Sequence, residues 1–295
     1  MSVVAKVMTV TPIGFEGRII EVESDTTKGL PSLQIVGMGS KAIDEAKERV
    51  KSAITNSLLE YPARRITINL APAEIPKDGT HYDLPIALAV LASSGQIKQE
   101  ELASAIFAGE LALDGNLRPI RGVIVFAEAA KRKGFTRLYI PAANADQASL
   151  IDGIEIIGVD SLKSLFLHLK GELTLTPYTT LPTTKATEPI HTGPDLDDIY
   201  GQEQAKRALT IAAAGPHNIL FTGPPGAGKT MLARALAGLL PTLTISEQVT
   251  LTKLYSLAGE ATEEIITARP FRAPHHTSSR VALVGGRNDS PAGGY

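Results

Sequence analysis

Apolar residues follow two rhythms along this chain. Short apolar segments of strand length run at Val3–Val10, Gly17–Val22, Leu33–Val36, Arg65–Leu70, Ala105–Leu111 and Arg137–Ile140. Between them lie stretches with helical spacing. Lys41–Leu58 places Ile43, Ala46, Val50, Ala53, Ile54 and Leu58 on one face, with Ser40 positioned as its N-cap. Asp83 stands where it can cap a second helix, Leu84–Ser94, and Pro85 falls in the first turn, where its missing N–H costs little. Val123–Lys133 and Ser161–Lys170 read as two further helices. Later in the chain Asn218–Thr222 reads as a strand, and Met231–Leu240 as a helix with Leu232, Ala235, Leu236 and Leu239 at helical spacing. The mixture predicts an α/β fold.

One stretch breaks both rhythms. From Thr174 to Pro194 threonine and proline dominate, and no strand or helix period survives. Such a segment is expected to be extended and mobile. It divides the chain into a first domain at residues 1–170, a linker at 171–194 and a second domain at 195–295. A length of 295 residues accommodates two domains, and no internal repeat is visible.

Composition narrows the class. Apolar residues make up 43% and charged residues 20%, enough for each domain to bury a core. The net charge of −2 excludes a strongly basic nucleic-acid coat and leaves room for a local basic patch. With no cysteine there is no disulfide and no thiolate metal site. No apolar run is long enough to span a bilayer, and Met1-Ser-Val-Val-Ala-Lys-Val lacks the apolar core of a signal peptide. The default expectation is a soluble cytoplasmic protein with no membrane partner.

The candidate chemistry lies between Asn218–Thr222 and Met231–Leu240. Residues 223–230 read Gly223-Pro224-Pro225-Gly226-Ala227-Gly228-Lys229-Thr230, which fits G-x-x-x-x-G-K-[ST]. Glycines let backbone N–H groups curl around phosphate without a Cβ in the way. Lys229 would reach the β- and γ-phosphates, and Thr230 would give its hydroxyl to Mg²⁺. Strand, glycine loop and helix in that order put the phosphates at a helix N-terminus, where the dipole favours them. The alternative is a Gly-rich turn that matches by chance. The pattern predicts binding of ATP with Mg²⁺.

The first domain carries a resemblance. Pro76-Lys-Asp-Gly79, then a helix, then Ala108-Gly-Glu-Leu111 and Leu117-Arg-Pro-Ile120 resemble the proteolytic domain of Lon proteases, a ribosomal S5 domain 2-like fold. That family carries a nucleophilic serine and a lysine base. Here the serine slot holds His81 and the lysine slot holds Ile124. Ser/Lys catalysis needs a hydroxyl beside an amine of depressed pKa, so the resemblance implies a Lon-like fold without protease activity. A replacement mechanism through His81 would have only Thr80 as an adjacent hydroxyl. His81 reads instead as a surface or helix-entry residue.

A narrower resemblance covers nearly the whole chain. Gly29-Leu-Pro, Ile35-Val-Gly37, Arg49-Val-Lys-Ser-Ala-Ile54, Arg65-Ile-Thr-Ile-Asn-Leu-Ala-Pro-Ala73 and Tyr82-Asp-Leu-Pro-Ile86 are similar to magnesium-chelatase-like ATPases of the YifB/ComM type. So are Gly201-Gln-Glu-Gln-Ala-Lys-Arg-Ala-Leu209, His217-Asn218 and Arg269-Pro-Phe-Arg-Ala-Pro-His-His276. The resemblance implies an inactive Lon-like domain followed by an AAA+ module. It also implies a hexameric ring, and DNA as the partner of a branch-migration motor. Ile199 and Gly201 resemble the AAA+ segment that lines adenine. Arg269, Arg272, His275, His276 and Arg280 stand close together, either as a contact to DNA phosphate or a neighbouring subunit, or as a structural hairpin with solvated charges. Adjacent His275 and His276 rarely share one metal, and no third ligand stands near.

A hydrolysing AAA+ site also needs an apolar strand ending in Asp-Glu. None follows Thr230, since Glu263-Glu264 precedes its apolar pair Ile265-Ile266. The expectation is a truncated module, unstable alone, with weak or absent hydrolysis. Three function classes remain: a DNA-dependent motor, a chelatase-type ATPase that remodels a partner protein, and a nucleotide-binding remnant.

Overall fold

A computed structural model describes residues 4–37, 39–179, 193–261, 263–275 and 277–279. They fall into two compact units, the first formed by the residues up to 179 together with 252–264, the second by the remainder.

The first unit contains β1 (Ala5–Ile13), β2 (Glu16–Thr27), β3 (Ser32–Val36), β4 (Arg65–Ala71), β5 (Ala105–Phe107), β6 (Glu110–Leu111), β7 (Leu117–Arg118), β8 (Arg137–Pro141) and β9 (Glu155–Val159). Seven of them form one mixed sheet in the order β3-β4-β2-β1-β5-β8-β9. The pairs β1/β2 and β2/β4 are antiparallel, while β3/β4, β1/β5, β5/β8 and β8/β9 are parallel. Strands β6 and β7 form a separate ribbon. The helices are α1 (Lys41–Asn56), α2 (Asp83–Ser93), α3 (Val123–Arg132), α4 (Ala145–Ala148) and α5 (Leu162–Leu169).

Both faces of the sheet are covered. One core joins Val7, Val22, Ile68 and Tyr139 of the sheet to Val50 of α1, Leu88 of α2 and Leu165 of α5. The other joins Val10, Ile106, Leu138 and Ile156 to Phe126 of α3 and Ala145 of α4. Adjacent strand residues point to opposite faces, so Val10 falls on the far side from Val7. Residues 83–92 of α2 are buried all round, as expected of a helix enclosed within a domain.

Several local expectations change. The run Ala105–Leu111 is two strands, because Gly109 turns out of β5 and its carbonyl accepts the Leu84 N–H at 3.0 Å, satisfying the start of α2. Asp83 is therefore not a cap but the first residue of α2, preceded by a 3₁₀ turn at Thr80–Tyr82. Ser40 occupies the N-cap position of α1, yet its hydroxyl makes no capping bond. Leu58 is not on the buried face: α1 ends at Asn56, and Leu58 takes φ 61° with 82% of its surface exposed. Ser161 does cap α5, in a reciprocal box with Ser164. Strand β9 was not expected from the sequence.

The start of the expected linker is attached to this unit. Leu175 packs on the core, the Tyr178 N–H donates to Ile156 O of β9 at 2.6 Å, and the Tyr178 hydroxyl donates to Asp146. Residues 171–179 are thus held, contrary to the expected mobility. Residues 180–192 lie outside the described ones.

The second unit contains α6 (Glu203–Ala214), α7 (Lys229–Leu239) and the beginning of α8 (Ile245–Ala258), whose residues from Thr252 count with the first unit. Ile199, Leu209, Leu232 and Ala235 form its core, with Ile219, Phe221 and Leu239 packed against it. Asn218–Thr222 is not a strand by hydrogen bonding. Its side chains still alternate, with Ile219 and Phe221 inward and Leu220 87% exposed. A ladder partner for it is missing among the described residues. Thr244 and Glu247 cap α8 reciprocally: the Glu247 carboxylate accepts the Thr244 N–H at 2.8 Å, and the Thr244 hydroxyl accepts the Glu247 N–H at 3.3 Å.

Candidate nucleotide site and two buried Lon-like positions

Three glycines shape the loop at 223–230, and two of them carry the argument. Gly226 and Gly228 both take φ 80° with open space where a Cβ would stand, a backbone conformation glycine adopts at little cost. Gly228 is the N-cap of α7, whose first residue is Lys229. The Lys229 ammonium donates to Gly223 O at 2.9 Å and Pro224 O at 2.7 Å, so the lysine folds back over its own loop. Thr230 follows on the first turn and is exposed. Pro225 and Ala227 complete the turn between the glycines, and Gln202 Nε2 donates to Ala227 O at 3.4 Å. Nothing in the sequence singled out Gln202. The loop presents a cation, a hydroxyl and a helix N-terminus together, which suits a polyphosphate with its Mg²⁺.

Ile199 and Gly201 stand apart in character. Ile199 is 6% exposed and belongs to the core, so its side chain holds the segment down. Gly201 takes φ 67° with open space around it, and Tyr200 between them is 94% exposed.

The basic cluster divides as well. Arg269 is committed inside its own unit, donating to Pro241 O at 2.6 Å and pairing with Glu247 at 3.2 Å. The hydrogen bonds from the Thr244 backbone and hydroxyl, and then the Arg269 guanidinium, hold the Glu247 carboxyl below its usual range. Arg272 and His275 are exposed, and His275 Nδ1 lies 2.6 Å from the Thr277 hydroxyl. His276 and Arg280 lie outside the described residues. Among the described residues, no three His, Cys, Asp or Glu side chains group as metal ligands.

In the first unit His81 and Ile124, at the two Lon-like motif positions, are both buried. His81 lies at the entry to α2 as expected, but it is not a surface residue: 8% of it is exposed. Its ring packs 4.2 Å from Tyr82 and edge-on to Phe126 at 5.1 Å. Burial pushes its pKa down to about 4, against a backbone hydrogen bond with Val10, and Nε2 has no partner. Ile124 is fully buried. The Thr80 hydroxyl donates to Glu110, so His81 does not have it as a nucleophile.

Two residues on from His81, Asp83 forms a two-pronged ion pair with Arg49, at 2.7 and 3.0 Å. The Leu111 N–H adds a third hydrogen bond to Asp83 at 3.2 Å. Burial raises the Asp83 carboxyl to about 6 despite the guanidinium, while Asp83 raises Arg49. Both groups are charged at neutral pH. The sequence offered both residues within separate motifs, with no signal that they meet.

The described residues thus make two units, an α/β sheet unit and one in which a glycine loop runs into a helix N-terminus. Comparison with known proteins places the chain more narrowly. The family description "Subunit ChlI of Mg-chelatase" matches residues 22–144, and "Magnesium chelatase, subunit ChlI" matches residues 195–294. The YifB protein of Escherichia coli K12 is 44% identical over 282 residues, 95% of this chain and 54% of its own length. The competence protein ComM of Haemophilus influenzae is 44% identical over 276 residues, 93% of this chain and 54% of its own. Lon protease 2 of Bacillus subtilis is 30% identical over 182 residues, covering 55% of this chain and 31% of its own length. The chain belongs to the magnesium-chelatase-like family of the YifB/ComM type, with a Lon-like and an AAA+ part. It spans about half the length of the curated relatives it matches.

Proposed function

We propose that this chain binds ATP with Mg²⁺ at residues 223–230, and that within the whole protein it forms part of a cytoplasmic, ring-shaped motor driven by ATP and acting on DNA. The observation that carries the reading is Lys229, the first residue of α7, turned over the loop carbonyls of Gly223 and Pro224. In this reading the ammonium transfers from those carbonyls to the β- and γ-phosphates, the α7 N-terminus receives the phosphate charge, and Thr230 holds Mg²⁺. Gly201 and the exposed backbone around it would border the adenine, with Ile199 acting from beneath. The residues up to 179 act as one body without peptidase activity, and those from 195 form the nucleotide module. DNA enters through the likeness to a protein named for competence. Arg272, His275, His276 and Arg280 would face DNA or a neighbouring subunit.

A second reading follows from the matched family descriptions: an ATPase of chelatase type that remodels a partner protein. ATP binding and turnover measured with and without forked DNA, beside Lys229→Ala, separate the readings. DNA-stimulated turnover that disappears in the variant supports the motor. Turnover indifferent to DNA favours the chelatase-type reading. Nucleotide binding that survives Lys229→Ala unchanged would overturn the site itself.

A further inference from the structure

The seven-stranded sheet ends in β3 on one side and in β9 on the other. The two edges are finished differently. At β9 the chain covers its own edge, since the Tyr178 N–H donates to Ile156 O. At β3 no such cover exists among the described residues. The Ser32 N–H donates to Arg64 O at 3.3 Å, with Ser32 opposite Arg65 in a parallel ladder. Backbone groups alternate sides along a strand, so Ser32, Gln34 and Val36 direct theirs to β4. Leu33 and Ile35 direct theirs outward, where they have no backbone partner among the described residues. Edge strands that stay single are guarded by charge, by an internal proline or by a bulge. Ser32–Val36 has no charged residue, no proline and an unbroken register with β4. Its side chains are sorted by face as well. Leu33 and Ile35 pack against the core, while Ser32, Gln34 and Val36 are exposed.

We propose that β3 pairs antiparallel with β3 of a second copy of this chain, across a two-fold axis at Gln34. The order of residues favours a copy over a foreign strand. With the axis at Gln34, Leu33 falls opposite Ile35 of the copy, and Ile35 opposite its Leu33. These are the residues whose N–H and C=O groups point outward, so each outward donor meets an outward acceptor. The next such pair would be Pro31 with Gly37. Pro31 has no N–H to give, and Gly37 leaves the strand with φ 110°. The residues that cannot continue the ladder therefore face each other, and it closes at both ends in the same register. On the exposed face Gln34 meets Gln34 of the copy as a non-hydrogen-bonded pair. An amide side chain carries both donors and an acceptor, so it can pair with itself. The Gln34 Oε1 accepts from Arg65 at 3.2 Å, which orients the amide and leaves its N–H donors for the copy. On the inner face the half-buried Leu33 and Ile35 would cover each other's exposed parts. Such a contact is isologous, unlike the head-to-tail contact of a ring, and it does not rest on the nucleotide reading.

The chain has no cysteine, so a single one introduced on β3 reports the register. In Gln34→Cys the Cα atoms of the two copies would stand about 4.5 Å apart, within disulfide reach. In Ser32→Cys they would be displaced by about 14 Å along the strands, beyond that reach. Mild oxidation of the full chain should link Gln34→Cys into a covalent dimer at least about tenfold faster than Ser32→Cys, the advantage of a held pair over a chance encounter. Sedimentation velocity over a concentration series should show the unaltered chain in equilibrium between monomer and dimer. Gln34→Lys sets like charges opposite each other at an exposed position, and should weaken the dimer about fivefold. Its urea midpoint should stay unchanged. Equal linking of the two cysteine variants, no linking of Gln34→Cys, or a monomer at every concentration would each overturn the pairing. So would a Gln34→Lys variant that dimerises as the unaltered chain does. A larger assembly that Gln34→Cys fails to link would overturn the pairing and leave the ring reading standing.

Discussion

The two units treat their inherited sites in opposite ways. In the first, the slots that hold serine and lysine in Lon-like proteases are occupied by His81 and Ile124, both buried, and the neighbouring hydroxyl of Thr80 is tied to Glu110. In the second, the glycine loop stays exposed, and among the described residues Lys229 is engaged by carbonyls that phosphate can replace. Side chains at the first site have become part of a core, whereas those at the second remain at a surface. Substitutions at the first should therefore register as stability, and at the second as binding.

Asp83→Ala should give the largest effect. It leaves the mostly buried Arg49 guanidinium without its carboxylate, a change that costs about 3–5 kcal/mol in buried pairs. Urea unfolding should show the loss, while ATP affinity of the folded fraction stays the same. Lys229→Ala should do the opposite, weakening ATP binding by about 10–100-fold, as expected for losing hydrogen bonds to a charged group. Its unfolding midpoint should barely move. If the two variants exchanged these signatures, the contrast between the units would be wrong.

His81 gives a pH signature. Its folded pKa of about 4 lies below the ordinary 6.5, so between those values the unfolded chain binds the extra proton. Its stability contribution is then present above pH 6.5 and is lost as pH falls toward 4. Asp83 acts in the opposite sense. Its folded value of about 6 exceeds 3.8, so its contribution improves as pH falls through the same region. The two largely cancel in the unaltered chain, and a subtraction separates them. Relative to His81→Phe, the protein should lose about 2 kcal/mol of stability between pH 7 and pH 5, by urea unfolding at each pH. A constant difference across that range would mean that His81 is not buried as neutral imidazole. The smallest effect belongs to Thr244→Ala, which removes one partner of the α8 cap and should cost about 1 kcal/mol or less.

The glycine loop and the helix behind it were legible in the sequence, because they reside in contiguous residues whose backbone angles glycine favours. Most strands and helices of the first unit were legible where one face was buried, although β9 and the short α4 were not. Expectation failed at positions decided by partners distant in sequence. Gly109 leaves its strand to meet Leu84. Asp83 turns from capping to Arg49, and Tyr178 is drawn from an apparent linker onto β9. Leu58 fits the helical face by spacing alone, yet the helix stops short of it. Asn218–Thr222 has the side-chain rhythm of a strand without a described ladder partner, and rhythm cannot reveal that.

The packing at Ile124 also bears on history. A lysine restored there would carry its ammonium into a fully buried apolar position, at a cost of several kcal/mol. A serine restored at 81 would remove a ring from beside Phe126 and Tyr82 and open a cavity. Neither reversion alone regains a nucleophile with its base, and each alone lowers stability. Placing the Lon-protease residue types at both positions would thus lower stability at the first substitution, whichever is made first.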